Sequence, residues 1–299
     1  GGGRTRGRAA ASTFRGLSGS VPQGRRRGLG ARWTAALQLP GVRGLAVCKR
    51  ISSDFGLHML HTNRTSAPTV FHSIYDATMG DIDQDGDQDL VLQGVWVRNP
   101  GGLTARTPSQ WNQYQIGPAD PDFKALVVDL NKDGKMDVLF SSSENTADVD
   151  WWTPSGSSPT EAWTKHTIYP SLEKAHTLQV ADMNQDGNLD VVLAQMHTSY
   201  DGEIFIMINQ DGKATQWEKL LLGNGGLHNG VVADIGNDGD YDIFGANWTG
   251  NPPVKLWLNR QDDIGSVTYN QVTNSHDQTF GLAFGDLNGD QMKDIISGQ

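Results

Sequence analysis

The sequence contains one cysteine, Cys48, among 299 residues, which excludes an internal disulfide. Outside the cell, stability would therefore have to come from packing and bound metal. No apolar run approaches the eighteen or so residues of a membrane-spanning helix, and helical periodicity is hard to find. Nucleophile elbows, phosphate loops and dinucleotide fingerprints are also missing. These absences leave an all-β chain without a membrane span and without the signature of a common enzyme class.

Acidic residues are missing from the first fifty positions, which hold ten Arg and one Lys, whereas the rest of the chain is strongly acidic. This contrast marks a domain boundary. Residues 1–50 are predicted to be a basic Gly/Arg-rich segment that is either disordered or a targeting segment. Nucleic acid is not expected as a partner, because the acidic body repels phosphate and the arm has no interleaved aromatic residues.

Five acidic loops of nine residues recur along the acidic part of the chain. Their first aspartates are separated by 48 to 53 residues, which is the period of an array of similar supersecondary units. We number the loops in chain order: residues 81–89 (loop 1), 129–137 (loop 2), 182–190 (loop 3), 234–242 (loop 4) and 286–294 (loop 5).

The residue types in each loop are those that wrap a hard cation, most plausibly calcium. Oxygen side chains stand at positions 1, 3, 5 and 9, and a turn-permitting Gly stands at position 6 in loops 1 to 4. Without a counter-ion, so many adjacent carboxylates would repel one another. Gly236 at position 3 and Gln291 at position 6 predict weaker binding in loops 4 and 5. The predicted metal ligands are Asp81, Asp83, Asp85, Asp89, Asp129, Asn131, Asp133, Asp137, Asp182, Asn184, Asp186, Asp190, Asp234, Asp238, Asp242, Asp286, Asn288, Asp290 and Asp294.

Short apolar runs follow the loops and distinguish them from EF-hands. An EF-hand needs Glu at position 12 and a helix on either side, but position 12 is never Glu here. The runs after the loops are rich in β-branched residues, which favours strands. Regularly spaced Trp111, Trp163 and Trp217 precede the loops and are predicted to be core residues. Four strands in about fifty residues make one propeller blade.

The loops with their flanking strands resemble the FG-GAP and VCBS repeats of integrin-type and secreted bacterial or fungal β-propellers. Phe280-Gly281, ahead of loop 5, is similar to the Phe-Gly signature of that family. The resemblance implies an all-β propeller with four-stranded blades and structural calcium. About four and a half blades would occupy residues 75–299, and residues 51–74 would supply strands of a preceding blade. The missing blades would belong to a longer, seven-bladed protein that is extracellular or on the cell surface.

The sheet edge opposite the loops is predicted to carry a ligand site. His176 and His228 each stand six residues before a loop aspartate, at the entry of a first strand. Connections between second and third strands bring further side chains to the same edge. Such a set suits a sugar, held by ring stacking and hydrogen bonds, or acid/base chemistry. Alternatively, the two histidines fill a repeat position that is aromatic in sister blades. The candidate ligand-binding residues are His176, His197, His228, Trp96, Trp248 and Glu144.

Three functions follow from this architecture, because one scaffold carries many activities. The preferred one is a non-catalytic, calcium-binding recognition module for a glycan or a protein, with no catalytic residue assigned. The first alternative is the propeller part of a secreted carbohydrate-active enzyme of the polysaccharide lyase or aldos-2-ulose dehydratase type. The second alternative is a structural module of a large surface protein.

Overall fold

The computed structural model describes residues 77–118, 120, 122–248, 254–259, 268–271, 281–289 and 293–298. All of them belong to the unit Val47–Gln299. The predictions made for residues 1–50 and 51–74 lie outside the described residues, as does the predicted ligand Asp290.

The described residues form antiparallel sheets whose strands follow one another in chain order. Sheet 1 consists of β1 Thr78–Gly80, β2 Asp89–Leu92, β3 Val95–Arg98 and β4 Asn112–Gln115. Sheet 2 consists of β5 Phe123–Val128, β6 Asp137–Ser142, β7 Thr146–Pro154 and β8 Trp163–Glu173. Sheet 3 consists of β9 Ala175–Ala181, β10 Asp190–Gln195, β11 Ile204–Asn209 and β12 Trp217–Gly223.

The last two sheets continue the same pattern. Sheet 4 consists of β13 Asn229–Ala233, β14 Asp242–Ala246, β15 Lys255–Leu258 and β16 Thr268–Gln271. Sheet 5 has two described strands, β17 Gly281–Gly285 and β18 Asp294–Gly298. The described helices are two short 3-10 turns, Gly102–Arg106 and Pro108–Gln110. The prediction of an all-β chain built from four-stranded units is confirmed, and none of the described helices is long and apolar enough to cross a membrane.

Burial falls from the middle of each sheet outwards, as hydrophobic patterning requires. The second strands β6, β10 and β14 are buried along their whole length, whereas the fourth strand β12 is only half-buried. Apolar side chains from neighbouring sheets interdigitate, so one core lies between sheets 2 and 3 and another between sheets 3 and 4. The first strand of each sheet contacts the first strand of the next sheet. Successive sheets therefore pack face to face in a propeller-like order.

A tryptophan starts or immediately precedes the fourth strand in the first three sheets. These indoles are partly buried against the cores, so the core prediction made for them is confirmed only in part. Each Nε1 donates a hydrogen bond to a carbonyl of the preceding turn, which ties that turn to the strand. The three bonds are Trp111 to Ala105 O, Trp163 to Pro159 O and Trp217 to Ala214 O, at 3.0, 3.0 and 3.1 Å.

Candidate functional sites at opposite sheet edges

The acidic loops connect the first strand to the second in every sheet, so they lie at one edge of the sheets. Side chains at loop position 4 reach from one loop to the next and link loops 1 to 4 in series. The four residues at this position, Asn237 included, have φ between 53° and 60°, in the left-handed region. The linking bonds are Gln84 Nε2 to Gly134 O at 2.7 Å, Lys132 Nζ to Asn188 Oδ1 at 2.6 Å and Gln185 Nε2 to Gly239 O at 3.0 Å.

The first aspartate of each loop folds the loop around its own carboxylate. In loop 1, Asp81 Oδ1 accepts the N–H of Asp85 at 3.0 Å, and Oδ2 accepts the N–H of Gly86 at 2.9 Å. Gly86 has φ 93°, a conformation that glycine adopts without strain. The corresponding carboxylates of loops 2 to 4 accept the same glycine N–H. The Gly at position 6 thus closes the turn, as the motif predicts.

The aspartate at position 9 is buried in loops 1 to 4 and joins two parts of its sheet. In loop 3, Asp190 Oδ2 accepts the N–H of Met183, and Oδ1 accepts the N–H of Asn209 at the end of the third strand, both at 2.9 Å. Asp89 and Asp242 accept equivalent pairs of N–H groups. These carboxylates therefore fasten the loop to the third strand, a role that ligand spacing does not predict.

Sheet 2 departs from this arrangement. Pro154 is the sheet 2 equivalent of Asn209, because Pro154 pairs with Trp163 as Asn209 pairs with Trp217. Proline has no N–H and therefore cannot donate the bond that Asn209 donates. Asp137 Oδ2 still accepts the N–H of Leu130 at 3.0 Å, and the Thr153 side chain hydrogen-bonds to the carboxylate, but Oδ1 accepts no main-chain N–H from the third strand.

Burial raises the pKa of these position-9 carboxyl groups. The pKa is raised to about 6 for Asp89 and Asp190 and to about 7 for Asp137, chiefly because water is excluded from the charged form. The pKa of Asp242 is raised for the same reason. A divalent cation beside these groups would favour their ionised form.

The donor atoms of loop 1 fit a hard cation. Carboxylate oxygens of Asp81, Asp83 and Asp89 lie within 4.8 Å of one another. Asp83 Oδ1 is buried without a hydrogen-bond partner, and so is Asp182 Oδ1 in loop 3. Oxygen atoms of this kind are the ligands that calcium takes, whereas softer metals prefer nitrogen or sulfur. The residues present therefore fit the ion that the motif predicts.

The ligand positions of the remaining loops differ in number and engagement. Asn131 and Asn184 each turn an amide oxygen inward to accept the N–H of position 5, at 3.0 Å. In loop 4, Gly236 contributes no side-chain oxygen at position 3. In loop 5, Asp286 and Asp294 accept main-chain N–H groups at 2.6 and 2.8 Å.

The opposite edge brings imidazole and indole side chains together. His176 lies at the start of β9, and His228 immediately precedes β13. His197 follows β10 and Trp248 follows β14, because second strands end at the edge where first strands begin. We call His176, His197, His228, Trp248 and the neighbouring Asn247 the histidine cluster.

Rings in the histidine cluster stack directly. The centroids of His176 and His228 lie 4.1 Å apart at an interplanar angle of 27°, and His228 lies 6.1 Å from Trp248. Glu144, in the turn between β6 and β7, places Oε1 3.4 Å from His176 Nε2. Five of the six predicted ligand-binding residues are therefore placed at this edge, while the ligand itself stays a prediction.

The imidazoles of the cluster are neutral near pH 7. The pKa of His176 is lowered to about 3, chiefly by burial and then by the neighbouring His228 and Lys124. Burial and Lys124 likewise lower the pKa of His228 to about 4, although a hydrogen bond with Asn229 opposes this. The pKa of His197 is lowered by burial and by Lys174. Each neutral ring offers one nitrogen as a donor and the other as an acceptor.

Several polar atoms of the histidine cluster are buried without a hydrogen-bond partner. Native proteins seldom leave such atoms unpaired, because each costs about 1–3 kcal/mol. The atoms without a hydrogen bond at this edge are His176 Nε2, whose 3.4 Å contact with Glu144 Oε1 is an ion-pair contact only, and His197 Nδ1, His228 Nδ1, Asn247 Oδ1 and Trp248 Nε1. The stacked pair Trp151 and His166 in sheet 2 leaves two such atoms, whereas five lie together here. This concentration favours a ligand site over the alternative interpretation of ordinary aromatic packing.

The structure does not bring Trp96 to the histidine cluster, which corrects its assignment as a ligand-binding residue. Trp96 is fully buried and stacks on Tyr114 at 4.7 Å, between sheets 1 and 2. The reason is the turn from β2 to β3, which consists only of Gln93 and Gly94. Both have positive φ, as a tight hairpin requires, so Trp96 lies inside β3 rather than in a loop.

Lys124 is a neighbour of the cluster that sequence reasoning missed. It follows Phe123, the sheet 2 counterpart of His176 at the start of a first strand. Its positive charge lowers the pKa of both His176 and His228. The sequence did offer a signal for its location, because Lys124 directly follows Phe123, which occupies the repeated aromatic position.

A family model for the FG-GAP-like repeat matches residues 129–193 and 182–245, which include loops 2 to 4. Residues 129–245 carry FG-GAP-like repeats. Their two overlapping matches confirm the family resemblance that the loops indicated. No curated protein matches the chain significantly.

Two solved structures are similar at low identity. One is an Agrocybe aegerita lectin, described for specific recognition of non-reducing terminal N-acetylglucosamine, with 20% identity, a TM-score of 0.49 and coverage of 74% of this chain. The other is a rhamnogalacturonan lyase of Bacillus licheniformis, with 15% identity, a TM-score of 0.39 and 76% coverage. This chain spans 60% and 55% of their respective lengths.

Proposed function

We propose that this FG-GAP-repeat protein is a calcium-binding recognition module whose histidine cluster binds a carbohydrate without converting it. The observation that carries the proposal is the convergence of buried, unpaired polar atoms around stacked rings at one edge. A ligand bound there would supply the missing hydrogen bonds. A flat aromatic surface edged with donors and acceptors suits a sugar ring, which has apolar faces and a hydroxyl rim.

Neutral imidazoles support the carbohydrate over a charged ligand. Sugar hydroxyls both donate and accept, and neutral histidine does the same. Trp248 adds an indole donor, and Asn247 adds an amide oxygen as an acceptor. The cluster thus matches the mixed hydrogen-bonding pattern of a polyhydroxylated ligand.

The low pKa values support recognition over catalysis. A general base works best when its pKa lies near the operating pH. Imidazoles with pKa values of about 3 and about 4 are weak bases, so they take a proton from a substrate poorly. The contact of Glu144 with His176 is the one feature that favours the enzyme alternative, since a carboxylate beside an imidazole can orient it for proton transfer.

The loop edge supports the calcium part of the proposal. Loops 1 to 3 provide the fullest oxygen sets, so we place the tightest sites there and weaker sites in loops 4 and 5. The face-to-face order of the sheets supports a propeller. Bound ions would then stiffen the edge that faces away from the ligand.

Glycan-array binding of the intact protein tests the carbohydrate site. We expect the protein to bind a defined glycan class, and His228→Ala and Trp248→Ala to reduce that binding at least tenfold without changing the melting temperature in calcium. His166→Ala is the matched control, because His166, like His228, stacks on another aromatic ring, in this case Trp151 at 4.3 Å in sheet 2. This control variant should bind like wild type.

Each other outcome has a definite meaning. Turnover of a bound glycan that His176→Ala abolishes would establish the enzyme alternative. Binding by wild type that both cluster variants retain would place the carbohydrate elsewhere and refute the proposed site. No binding to any glycan would refute carbohydrate recognition and favour a protein ligand or a structural module.

A further inference from the structure

Arg98, the last residue of β3, contacts two of the predicted ligands of loop 1. Its Nε forms an ion pair with Asp83 Oδ2, and its Nη2 lies 3.2 Å from Asp85 Oδ2. Asp83 and Asp85 occupy loop positions 3 and 5, and the Asp83 side chain is only 12% exposed. A permanently charged guanidinium therefore engages carboxylates that a cation in loop 1 would need.

The sister sheets carry no charge at the position of Arg98. Arg98 precedes Asn99, whose N–H binds the position-9 aspartate of its loop. In sheets 3 and 4 the same bond is donated by Asn209 and Asn259. The residues before them are Ile208 and Leu258. Both are apolar, so the cation is specific to sheet 1 among these three.

Loop 1 also differs from its sisters in one ligand. It has Asp83 at position 3, where the other four loops have the uncharged residues Asn131, Asn184, Gly236 and Asn288. One additional negative charge and one additional positive charge therefore occur in the same repeat and touch each other. Counting the four ligand positions and Arg98, loop 1 has the same net charge as loops 2 and 3.

We propose that Arg98 is a built-in competitor for the cation of loop 1. The guanidinium has to leave Asp83 and Asp85 before an ion binds both carboxylates. Loop 1 therefore binds calcium more weakly than its four carboxylates alone would allow. When calcium is low, the Arg98 guanidinium takes the place of the ion, so the loop keeps its fold. The inference rests on the calcium binding proposed above.

Repulsion between the Arg98 guanidinium and a bound calcium ion determines how strongly the two compete. Two positive groups a few ångströms apart at a partly buried site repel by several times the thermal energy. Breaking the ion pair adds to this cost, although water partly screens it because the Arg98 side chain is 39% exposed. Removal of the guanidinium therefore strengthens calcium binding by removing the repulsion, while the ligand oxygens stay in place.

Calcium titration against a chromophoric chelator tests the inference. Asp81→Ala removes the site of loop 1 and so identifies its contribution to the titration. We expect Arg98→Ala to tighten that site roughly tenfold. In an Asp83→Asn background the same change should have a smaller effect, because only the contact with Asp85 is left to release.

Lys165→Ala is the matched control. Lys165 lies on β8 and bridges Asp148 and Asp150 at 3.1 and 3.0 Å, and neither aspartate belongs to an acidic loop. Its side chain is 42% exposed, compared with 39% for Arg98. Loss of this ion pair should leave all calcium affinities unchanged, whereas loss of Arg98 should not.

Two results would overturn the inference. If Arg98→Ala leaves the affinity of loop 1 unchanged or weakens it, while Asp81→Ala still removes a site, Arg98 supports the loop rather than competing for it. If no variant and no wild-type protein binds calcium, the proposed calcium function fails and this inference fails with it. The behaviour of Asp81→Ala separates the two cases.

Discussion

The two edges of the same sheets satisfy their polar atoms in different ways. At the loop edge, each sheet repeats one set of bonds, in which aspartate oxygens accept main-chain N–H groups. At the opposite edge the ring position repeats but its contacts do not: Phe123 stacks on Phe140 in sheet 2, whereas His176 stacks on His228 across sheets 3 and 4. A bond set that recurs from sheet to sheet belongs to the fold, whereas the unrepeated contacts and unpaired polar atoms of the histidine cluster are the basis of the proposed ligand site.

Calcium removal should affect the loop edge most strongly. An ion that binds only the folded state stabilises it by about 2.7 kcal/mol at a hundredfold excess over its Kd, and three full sites act together. We expect an excess of chelator to lower the melting temperature by about 15 °C or more. Thermal unfolding in calcium and in chelator measures this shift, and magnesium at the same concentration should restore little of it.

Single loop variants sharpen that prediction. Asp182→Ala should lose part of the calcium-dependent shift, and Asp234→Ala should lose less, because loop 4 lacks an oxygen at Gly236. A melting temperature that is indifferent to chelator would mean that the carboxylates are held by main-chain N–H groups alone.

The position-9 aspartates allow a matched comparison within the loop edge. Asp190→Asn places an amide N–H₂ against the N–H of either Met183 or Asn209, so one buried bond is lost. Asp137→Asn avoids this conflict, because Pro154 donates no N–H to Oδ1 and the Thr153 hydroxyl that bonds the carboxylate can accept from an amide. We expect the first change to cost about 1–3 kcal/mol more than the second, measured by urea unfolding in chelator. Equal costs would show that the bond to the third strand does not fasten the loop.

The histidine cluster should make stability depend on pH. The pKa of His176 is about 3 in the folded protein and about 6.5 in the unfolded chain, so the unfolded chain takes up the proton first as the pH falls. Its contribution to stability is therefore complete above pH 6.5 and is lost progressively toward pH 3. His176→Phe, which installs the residue found at Phe123, should reduce the slope by about 1.4 kcal/mol per pH unit.

Urea unfolding of both proteins between pH 4 and pH 7.5, at constant calcium, measures the difference in slope. Wild type and variant should diverge below pH 6.5 and run parallel above it. Parallel curves throughout the range would mean that the imidazole of His176 is open to water in solution.

The sequence predicted the features that depend on local chemistry. Loop spacing, the closing Gly86 and the strand after each loop all follow from turn geometry and apolar patterning, and the structure has them. Trp96 was misassigned because the apolar run on either side of Gln93-Gly94 does not show where β2 ends and β3 begins. The stacking of His176 on His228, the buried bonds of Asp190 and the reach of Arg98 depend on how distant strands meet. No pattern within one repeat encodes those distances.

A crystal structure grown with calcium and with a glycan selected on the array tests the comparison of the two edges most directly. The account predicts ions in loops 1 to 3 and a sugar ring against His176, His228 and Trp248, with hydrogen bonds to the nitrogens that now lack partners. Loops without ions, or a sugar bound away from the histidine cluster, would contradict it.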